Sequence, residues 1–450
     1  MERMKSYPSY KASYLPDMSS IPAYWEEQRM KHSFVEVDER SITGAEEMLS
    51  VSHITGVTPR SQKNVNMFVA ETNVGQKLCR PGYIAINTMW AWMAAMGVSD
   101  YEGIVSPSYG VYKPINETYN PNYLDYLLRT EIYRAEYNRR STGVNSSRLR
   151  LYPDRFLDMR FVCPPRNEQD HIVRFLNWKV SQINRLINAK KKQTQLFQEQ
   201  KRAVVSTAIS QKGEQIRFRN LFTLIKGLNI TKEQLSESGV PCVNYGQIHS
   251  KYGFEVNPDA HHLPCVAESY LETNPKSLMQ YGDFVFADTS EDLTGSGNFT
   301  YLNSRSPVFA GYHTIIARSF ERCNYRYLAY YFDSPQFRSQ IQQRVNGVKV
   351  YSITRTILNS TVVVLPTDKE QEAIVQSLDK KCASFARLIE KINTEIALLN
   401  EYRTRLISDV VTGKMDVRDV EVPQYEAVDE FTEDIEEADE DVGIMEEDSL

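Results

Sequence analysis

The sequence has few residues at the spacings that catalytic motifs require. A metal-dependent nuclease of the P-D…[DE]-x-K type could be assembled only from residues 153–154 (PD) and 199–201 (EQK). The second of these stretches lies in a predicted long helix, where the strand geometry of a two-metal site is unavailable. Residues 295–297 (GSG) follow no phosphate-loop pattern, and residues 163–166 (CPPR) depart at both ends from the [NDS]-P-P-[YFW] loop of adenine methyltransferases. The sequence therefore predicts a chain that is not catalytic by itself.

The cysteines and histidines also lack the spacing of a metal or disulfide framework. The six cysteines form no C-x-x-C pair, and only His261 and His262 of the seven histidines are adjacent. We therefore expect reduced, buried thiols, no bound metal and a cytoplasmic protein. Because no apolar run approaches 18 residues and residues 1–17 contain no apolar signal core, we expect neither a membrane span nor a secretory signal.

Charge is distributed unevenly along the chain. The formal net charge is −6, but residues 421–450 contain 14 acidic residues and no basic one, so residues 1–420 carry a balance of +8. A stretch this acidic, with few large apolar residues, cannot bury enough surface to fold, and we expect an acidic disordered tail over residues 421–450. The cationic remainder is compatible with a polyanionic partner.

An internal duplication organises the rest of the sequence. At an offset of 202 residues, the stretch that begins at Glu168 and ends at Lys212 has 13 identities in 45 positions with the stretch that begins at Glu370, against about three by chance. Weaker matches precede it, such as residues 82–86 with residues 282–286. The order is therefore globular unit, long helix, globular unit, long helix and tail.

Both strong blocks have the pattern of a long helix with a coiled-coil seam, in which apolar residues recur at alternate steps of four and three. In the first copy the predicted seam is Ile172, Leu176, Lys179, Ile183, Leu186, Lys190, Gln193, Phe197, Gln200 and Val204. In the second copy it is Ile374, Leu378, Lys381, Phe385, Leu388, Ile392, Glu395, Leu399, Tyr402 and Leu406. Two such helices can return alongside each other in antiparallel orientation. The alternative is that each stripe is the core-facing side of an ordinary helix.

These blocks carry a family resemblance. The pattern P-P-x-x-E-Q-x-x-I-V over residues 164–173 recurs as L-P-x-x-x-E-Q-x-x-I-V over residues 365–375, and the second helix closes with residues 411–418 (VTGKMDVR). Together with residues 21–25 (IPAYW) and 282–290 (GDFVFADTS), this resembles the specificity subunit of type I restriction–modification enzymes. The first copy departs from the pattern, because its helix ends in QKGE where the family has a fuller Thr-Gly-Lys ending.

The duplication and the resemblance together predict an α+β fold with an internal pseudo-two-fold duplication. Two globular mixed α/β target recognition domains are separated by two long antiparallel coiled-coil helices. The expected bounds are 1–165 for the first recognition domain, 166–212 for the central helix, 213–366 for the second recognition domain, 367–420 for the distal helix and 421–450 for the tail.

The resemblance implies a DNA sequence-specificity subunit without catalytic activity of its own. Its expected partners are double-stranded DNA with a split recognition sequence, two methyltransferase (modification) subunits and motor–nuclease (restriction) subunits. It implies no cofactor on this chain, whereas S-adenosylmethionine, ATP and Mg would bind the partner subunits. The alternative function is a coiled-coil scaffold whose globular domains bind proteins.

Arginine, lysine and asparagine in turn-rich stretches are the candidate DNA contacts, since Arg and Asn can read base edges and Lys and Arg can bind phosphates. In the first domain they are Arg60, Lys63, Arg139, Arg140, Asn145 and Arg148. In the second they are Asn244, Lys251, Arg305, Arg344, Asn346 and Lys349. The alternative is that these side chains form a solvated cationic face.

Overall fold

The chain divides into two compact units in the computed structural model. The first unit comprises residues 1–192 and 393–450, and the second comprises residues 193–392. The structure describes residues 5–62, 72–143, 149–209, 213–347 and 350–429. The two long helices cross the division, so that each unit contains a part of both.

Among the residues described, four α-helices follow one another in the same order in the two halves of the sequence, and the second half contains three further short ones. The α-helices are α1 (Pro121–Leu128), α2 (Glu131–Arg140), α3 (Pro153–Leu157), α4 (Arg166–Ala208), α5 (Phe218–Leu221), α6 (Tyr245–Ser250), α7 (Tyr270–Thr273), α8 (Tyr325–Asp333), α9 (Pro335–Gln342), α10 (Arg355–Ser360) and α11 (Asp368–Val411). The series α1 to α4 corresponds to α8 to α11. In the described part of the chain, no helix combines the length and apolar character that a membrane crossing requires.

The strands of the first unit are β1 (Tyr10–Ala12), β2 (Ser20–Pro22), β3 (Glu26–Arg29), β4 (Phe34–Glu36), β5 (Leu49–Ser52), β6 (Gly56–Pro59), β7 (Lys77–Cys79), β8 (Ile84–Ile86), β9 (Met96–Val98), β10 (Gly103–Val105), β11 (Gly110–Pro114) and β12 (Arg160–Cys163). Four of them form the central sheet, in the order β4-β11-β8-β9. The pairs β1-β2, β5-β6, β7-β10 and β3-β12 are antiparallel ladders outside this sheet.

The strands of the second unit are β13 (Glu214–Arg217), β14 (Phe222–Lys226), β15 (Val240–Val243), β16 (Phe254–Val256), β17 (Cys265–Val266), β18 (Phe284–Ala287), β19 (Thr289–Ser290), β20 (Phe299–Leu302), β21 (Phe309–Ala310), β22 (Thr314–Ser319), β23 (Tyr351–Ser352) and β24 (Val362–Leu365). Five of them form a larger sheet, in the order β14-β22-β18-β20-β16. Smaller sheets have the orders β17-β15-β21, β19-β23 and β13-β24.

The two sheets share one plan, which confirms the predicted duplication. Strands β4, β11, β8 and β9 correspond in order to β14, β22, β18 and β20. A glycine with positive φ precedes each central strand, Gly82 at +82° before β8 and Gly282 at +87° before β18. Because glycine adopts this backbone conformation without strain, the same turn leads into both sheets. Strands β12 and β24 then lead directly into the long helices α4 and α11.

Aromatic side chains fill the cores of both units. Trp25, Phe156 and Phe161 are fully buried in the first unit, and the Phe161 ring stacks on Tyr133 with centroids 4.4 Å apart. In the second unit, Phe218, Phe284, Phe286 and Phe332 belong to one buried cluster. Such large rings bury more apolar area than any other side chains and dominate the stability of a core.

A glutamine at the start of each long helix fixes the helix to the strand before it. Gln169 is buried and its Nε2 donates to the carbonyl of Pro164 at 2.9 Å. Gln371, 202 positions later in the sequence, is buried as well, and its Nε2 donates to the carbonyl of Pro366 at 2.8 Å. The glutamine of the Glu-Gln motif therefore has the same structural role in both copies.

The inward-facing positions of α4 and α11 follow a heptad repeat that agrees with most of the predicted seam. The predicted positions that are partly or fully buried are Ile172, Leu176, Lys179, Ile183, Lys190, Phe197, Val204, Ile374, Leu378, Phe385, Ile392, Glu395, Leu399 and Leu406. The other six predicted positions are exposed, and in the middle of the helices two of them are wrong by one residue. Leu186 and Leu388 are 53% and 44% exposed, whereas their neighbours Ile187 and Ile389 are turned inward. Adjacent leucine and isoleucine are equally apolar, so hydropathy alone did not separate them.

The two helices pair in antiparallel orientation within the first unit. Lys190 forms an ion pair with Glu395. Further towards the start of α4 and the end of α11, Nη1 of Arg403 donates to Oδ1 of Asn184 at 2.8 Å. Residue numbers rise along one helix as they fall along the other, as predicted.

The same orientation is found within the second unit. The rings of Phe197 and Phe385 pack with centroids 6.2 Å apart, and Val205 shares a buried cluster with Leu378 and Cys382. The heptad spacing and the direct packing of both helices agree with the predicted antiparallel coiled coil.

The long helices end before the predicted boundaries. Helix α4 ends at Ala208, and residues 210–212 lie outside the described part of the chain. Helix α11 ends at Val411 rather than at residue 420, because Gly413 takes a left-handed conformation with φ of +76°. Glycine at this position is a common helix stop.

Residues 421–429, which we call the strap, are ordered along α4, and the prediction of disorder is wrong for them. Hydrogen bonds join the strap to three side chains of α4: Val428 N donates to Ser181 Oγ at 2.8 Å, Asn184 Nδ2 donates to Val428 O at 3.1 Å, and Asn188 Nδ2 donates to Asp429 O at 2.9 Å. Acidic composition did not prevent order here, because the strap is bound through its backbone. Residues 430–450 lie outside the described part of the chain.

A buried ion pair secures the start of the central strand in the second unit. Asp283 is 3% exposed, and Arg318 donates to it through Nη2 at 2.7 Å and through Nε at 3.1 Å. We expect Arg318→Met to lower the free energy of unfolding by about 3 kcal/mol, because it leaves a buried carboxylate without its partner. Urea denaturation measures this change. The control, Arg322→Met at an exposed position, should change stability by less than about 0.5 kcal/mol, and equal effects of the two substitutions would contradict the expectation.

Candidate functional site

Two polar residues meet where the central strands of the first unit end. The antiparallel ladder between β8 and β11 closes with Ile86 opposite Gly110. The next residues beyond it are Asn87 and Tyr109, which we call the first end pair. Nδ2 of Asn87 donates to the Tyr109 hydroxyl at 3.0 Å. Both residues are half-buried, and Oδ1 of Asn87 is a buried atom, so the pair is fixed in position and only part of it reaches the surface.

The second unit has a different pair at the same place. The ladder between β18 and β22 closes with Ala287 opposite Thr314, and the next residues are Asp288 and His313, the second end pair. Nδ1 of His313 lies 3.2 Å from Oδ1 of Asp288, and the Asp288 amide donates to the His313 carbonyl at 3.0 Å. The hydroxyl of Thr289 also donates to Oδ1 of Asp288, at 2.8 Å.

His313 is the most exposed member of the two end pairs and has an unusual backbone. Its side chain is 56% exposed, and its φ is +55°. Residues other than glycine rarely adopt a positive φ, and such strain clusters at binding and active sites. The ring of Tyr245 lies 5.4 Å from the His313 ring in an edge-to-face arrangement, so an aromatic surface borders the second end pair.

The structure corrects the prediction that Asn244 contacts DNA. Asn244 is fully buried, where it caps α6 in a capping box with Gln247. Its Oδ1 also accepts from the Tyr312 amide at 3.2 Å. Asn244 therefore positions Tyr245 and Tyr312 beside His313 and does not itself reach a ligand.

Arg139 and Arg140 are engaged by a carboxylate of their own helix. Both form ion pairs with Glu136, whose side chain is 7% exposed, and Arg139 also pairs with Asp17 at 2.8 Å. These contacts stabilise the end of α2 and account for the two arginines without a nucleic acid. The structure brings these two predicted residues together, around Glu136.

The remaining predicted contacts are dispersed over the two units. Arg60 is half-buried, and four further residues are exposed: Lys251 after α6, Arg305 between β20 and β21, and Arg344 and Asn346 after α9. Lys63, Asn145, Arg148 and Lys349 lie outside the described residues. The assignment of these residues to DNA contact stays a prediction.

Sequence reasoning missed both end pairs, because it ranked residues by positive charge. One signal was present in the phrase GDFVFADTS over residues 282–290, which places Asp288 and Thr289 immediately after a strand. The partner His313 is 25 positions away in the sequence, and only the strand register brings it to Asp288.

Three of the thiols are poor nucleophiles. Burial raises the pKa of Cys79 and Cys323 to about 11 and that of Cys242 to about 12. A thiol with a raised pKa stays protonated at neutral pH, and the thiolate is the reactive form. Among the residues that the structure describes, no group of three or more His, Cys, Asp and Glu side chains could bind a metal ion. The end pairs offer hydrogen-bond donors and acceptors, which suit binding.

Comparisons with known proteins agree with the family resemblance. Residues 212–398 match the family described as the type I restriction modification DNA specificity domain. The chain is 20% identical to the type I restriction enzyme MjaVIII specificity subunit of Methanocaldococcus jannaschii, over 71% of this chain and 76% of that protein. It is 23% identical to the type I restriction enzyme EcoKI specificity subunit of Escherichia coli strain K12, over 68% of each. These matches confirm the predicted resemblance.

The fold is also similar to a solved one. A chain in a structure that concerns complex assembly and conformational transition of the type I R-M system superposes with a TM-score of 0.61. The match covers 88% of this chain and 99% of that one, at 15% sequence identity. At this identity the likeness concerns the fold.

The ion pairs of Glu136 give a test that separates structural from DNA-binding arginines. We expect Arg139→Ala with Arg140→Ala to lower the free energy of unfolding by about 1–3 kcal/mol, because Glu136 is then left buried without a partner. Adding Glu136→Gln should restore part of this loss. Thermal and urea unfolding of the full chain measure both variants. If the double variant unfolds like the wild type but loses DNA affinity, the structural role is wrong.

Proposed function

Because the chain carries a type I DNA specificity domain and resembles type I specificity subunits over two thirds of its length, we propose that it is the DNA sequence-specificity subunit of a type I restriction–modification complex. The observation that carries this proposal is the repeated sheet plan with different residues at the equivalent strand ends. A scaffold that is kept while its exposed ends diverge suits recognition of two unlike half-sites in one DNA target.

The chain acts as a non-catalytic component in this proposal. Each unit reads one half of a split sequence in double-stranded DNA, and the long helices join the two readers. Two methyltransferase subunits bind S-adenosylmethionine and methylate adenine, and the motor–nuclease subunits use ATP and Mg. The chain binds none of these cofactors and works in the cytoplasm.

Charge supports DNA as the ligand. Residues 1–420 carry a balance of +8, and Lys251, Arg305 and Arg344 are exposed. Cationic side chains that neutralise phosphates supply the sequence-independent part of DNA affinity and make it dependent on salt. The alternative, a scaffold that binds proteins, explains the coiled coil but gives no reason for the matches to specificity subunits.

The proposed function predicts a specific methylation pattern. Mapping of methylated adenines in the genomes of the parent strain and of a strain that lacks this gene should show one split motif that disappears with the gene. Expression of the gene from a plasmid is the control and should restore the motif. Identical adenine methylation in the two strains would contradict the proposal.

The helices predict the length of the unread gap. Insertion of one heptad into α4 directly after Lys190 and one into α11 directly before Glu395, two residues that face each other, keeps the antiparallel seam in register, and we expect a longer gap between unchanged half-sites. The matched control inserts the heptad into α4 alone, which breaks the pairing and should abolish methylation. An unchanged gap in the double insertion would show that the helices do not set it.

A further inference from the structure

We propose that the two end pairs read bases, with Asn87 and Tyr109 specifying one half-site and Asp288 and His313 the other. This inference rests on the proposed function and identifies the residues within it. None of the four residues was among the contacts predicted from the sequence, which were chosen mainly for positive charge.

The two pairs lie at topologically equivalent places. In each unit the pair lies one step beyond the ladder between corresponding central strands, β8 with β11 and β18 with β22. The strands, their order and the preceding positive-φ glycine are retained between the units. The side chains at the ends are not retained, since an amide and a phenol in one unit are replaced by a carboxylate and an imidazole in the other. Two units that bind different DNA sequences must have different side chains at the positions that contact the bases. We therefore expect these contacts where side chains change on a retained scaffold.

The chemistry of the two pairs suits base edges in different ways. In the first pair, Oδ1 of Asn87 is buried and Nδ2 donates to the Tyr109 hydroxyl, so Asn87 positions that hydroxyl, which can donate or accept. In the second pair, aspartate accepts from the amino group of cytosine, and a histidine ring nitrogen can donate to N7 or O6 of guanine. The first end pair therefore reads a base through the Tyr109 hydroxyl, and the second suits a cytosine–guanine pair.

The pairs are held in place before any ligand binds. Asn87 and Tyr109 are joined by a hydrogen bond of 3.0 Å. Asp288 accepts from Thr289 at 2.8 Å and contacts His313 at 3.2 Å. Fixed groups lose less conformational entropy on binding, so they discriminate more sharply between base edges. All of these residues remain at least partly exposed, although Oδ1 of Asn87 is buried.

The pairs could instead serve only to close the ends of their strands. That role predicts that substitutions weaken folding or lower methylation of the wild-type motif, without any change in the bases preferred. Base reading predicts a changed preference, and a change confined to one half of the motif. The two roles therefore differ in a readout that does not depend on the total activity.

The test exchanges the chemistry of the two pairs in the full chain, assembled with its modification subunits. One variant carries Asn87→Asp with Tyr109→His, and the other carries Asp288→Asn with His313→Tyr. Each is incubated with a pool of DNA duplexes randomised around the split motif, and methylated duplexes are sequenced. We expect each variant to change the preferred base in its own half by about tenfold or more, while the other half stays as in the wild type and is the internal control.

Two milder variants cover the case that an exchanged pair does not fold. Tyr109→Phe removes only the hydroxyl, and His313→Asn keeps a residue type that tolerates positive φ. Circular dichroism and thermal unfolding identify folded variants. We expect both to relax the base preference in one half-site only.

Unchanged base preference in both halves, with folded variants and a methylated split motif, would overturn the inference and leave the proposed function intact. A uniform loss of methylation without altered preference would also overturn it, in favour of the strand-closing role. Failure of the wild-type assembly to methylate any split motif would count against the proposed function itself.

Discussion

The arrangement of the chain depends on how the two long helices leave their strands. Gln169 and Gln371 are buried and donate to the carbonyls of Pro164 and Pro366, which fixes the rotation of each helix at its first turn. Each glutamine also occupies an inward-facing position of the heptad repeat. The hydrogen bond that joins helix to strand therefore also determines which face of the helix meets its partner. The same hydrogen bond, formed at the start of each long helix, therefore orients both seams.

The central strand of each unit begins at a retained turn and ends at variable side chains. The turn glycine is common to both units, Gly82 before β8 and Gly282 before β18. Before β18 the second unit also has a buried ion pair of Asp283 with Arg318, where the first unit has a tyrosine in place of Asp283. After β18 the side chains are half-exposed and differ from those of the first unit. Rigid sheets position variable loops with precision. The strained backbone of His313 therefore lies at the exposed, variable end of the central strands.

The sequence predicted the features that depend on local pattern and repetition. The duplication, the long helices and their antiparallel seam all follow from spacing. Spacing did not decide between Leu186 and Ile187. Which of two adjacent apolar residues faces inward depends on how the partner helix packs against them. Asn244 was misassigned because burial depends on tertiary contacts. The end pairs were missed for the same reason, because strand register joins residues that are distant in the chain.

The strap distinguishes the two long helices, because it is bound by side chains of α4. Its backbone is bound by Ser181, Asn184 and Asn188. The corresponding positions of α11, 202 residues later, are Ala383, Ala386 and Glu390, which offer no comparable side-chain donors. A chimaera that repeated the second half in place of the first would keep the heptads but lose the donors of the strap. The two copies of the long helix are therefore not interchangeable, although they share one heptad pattern.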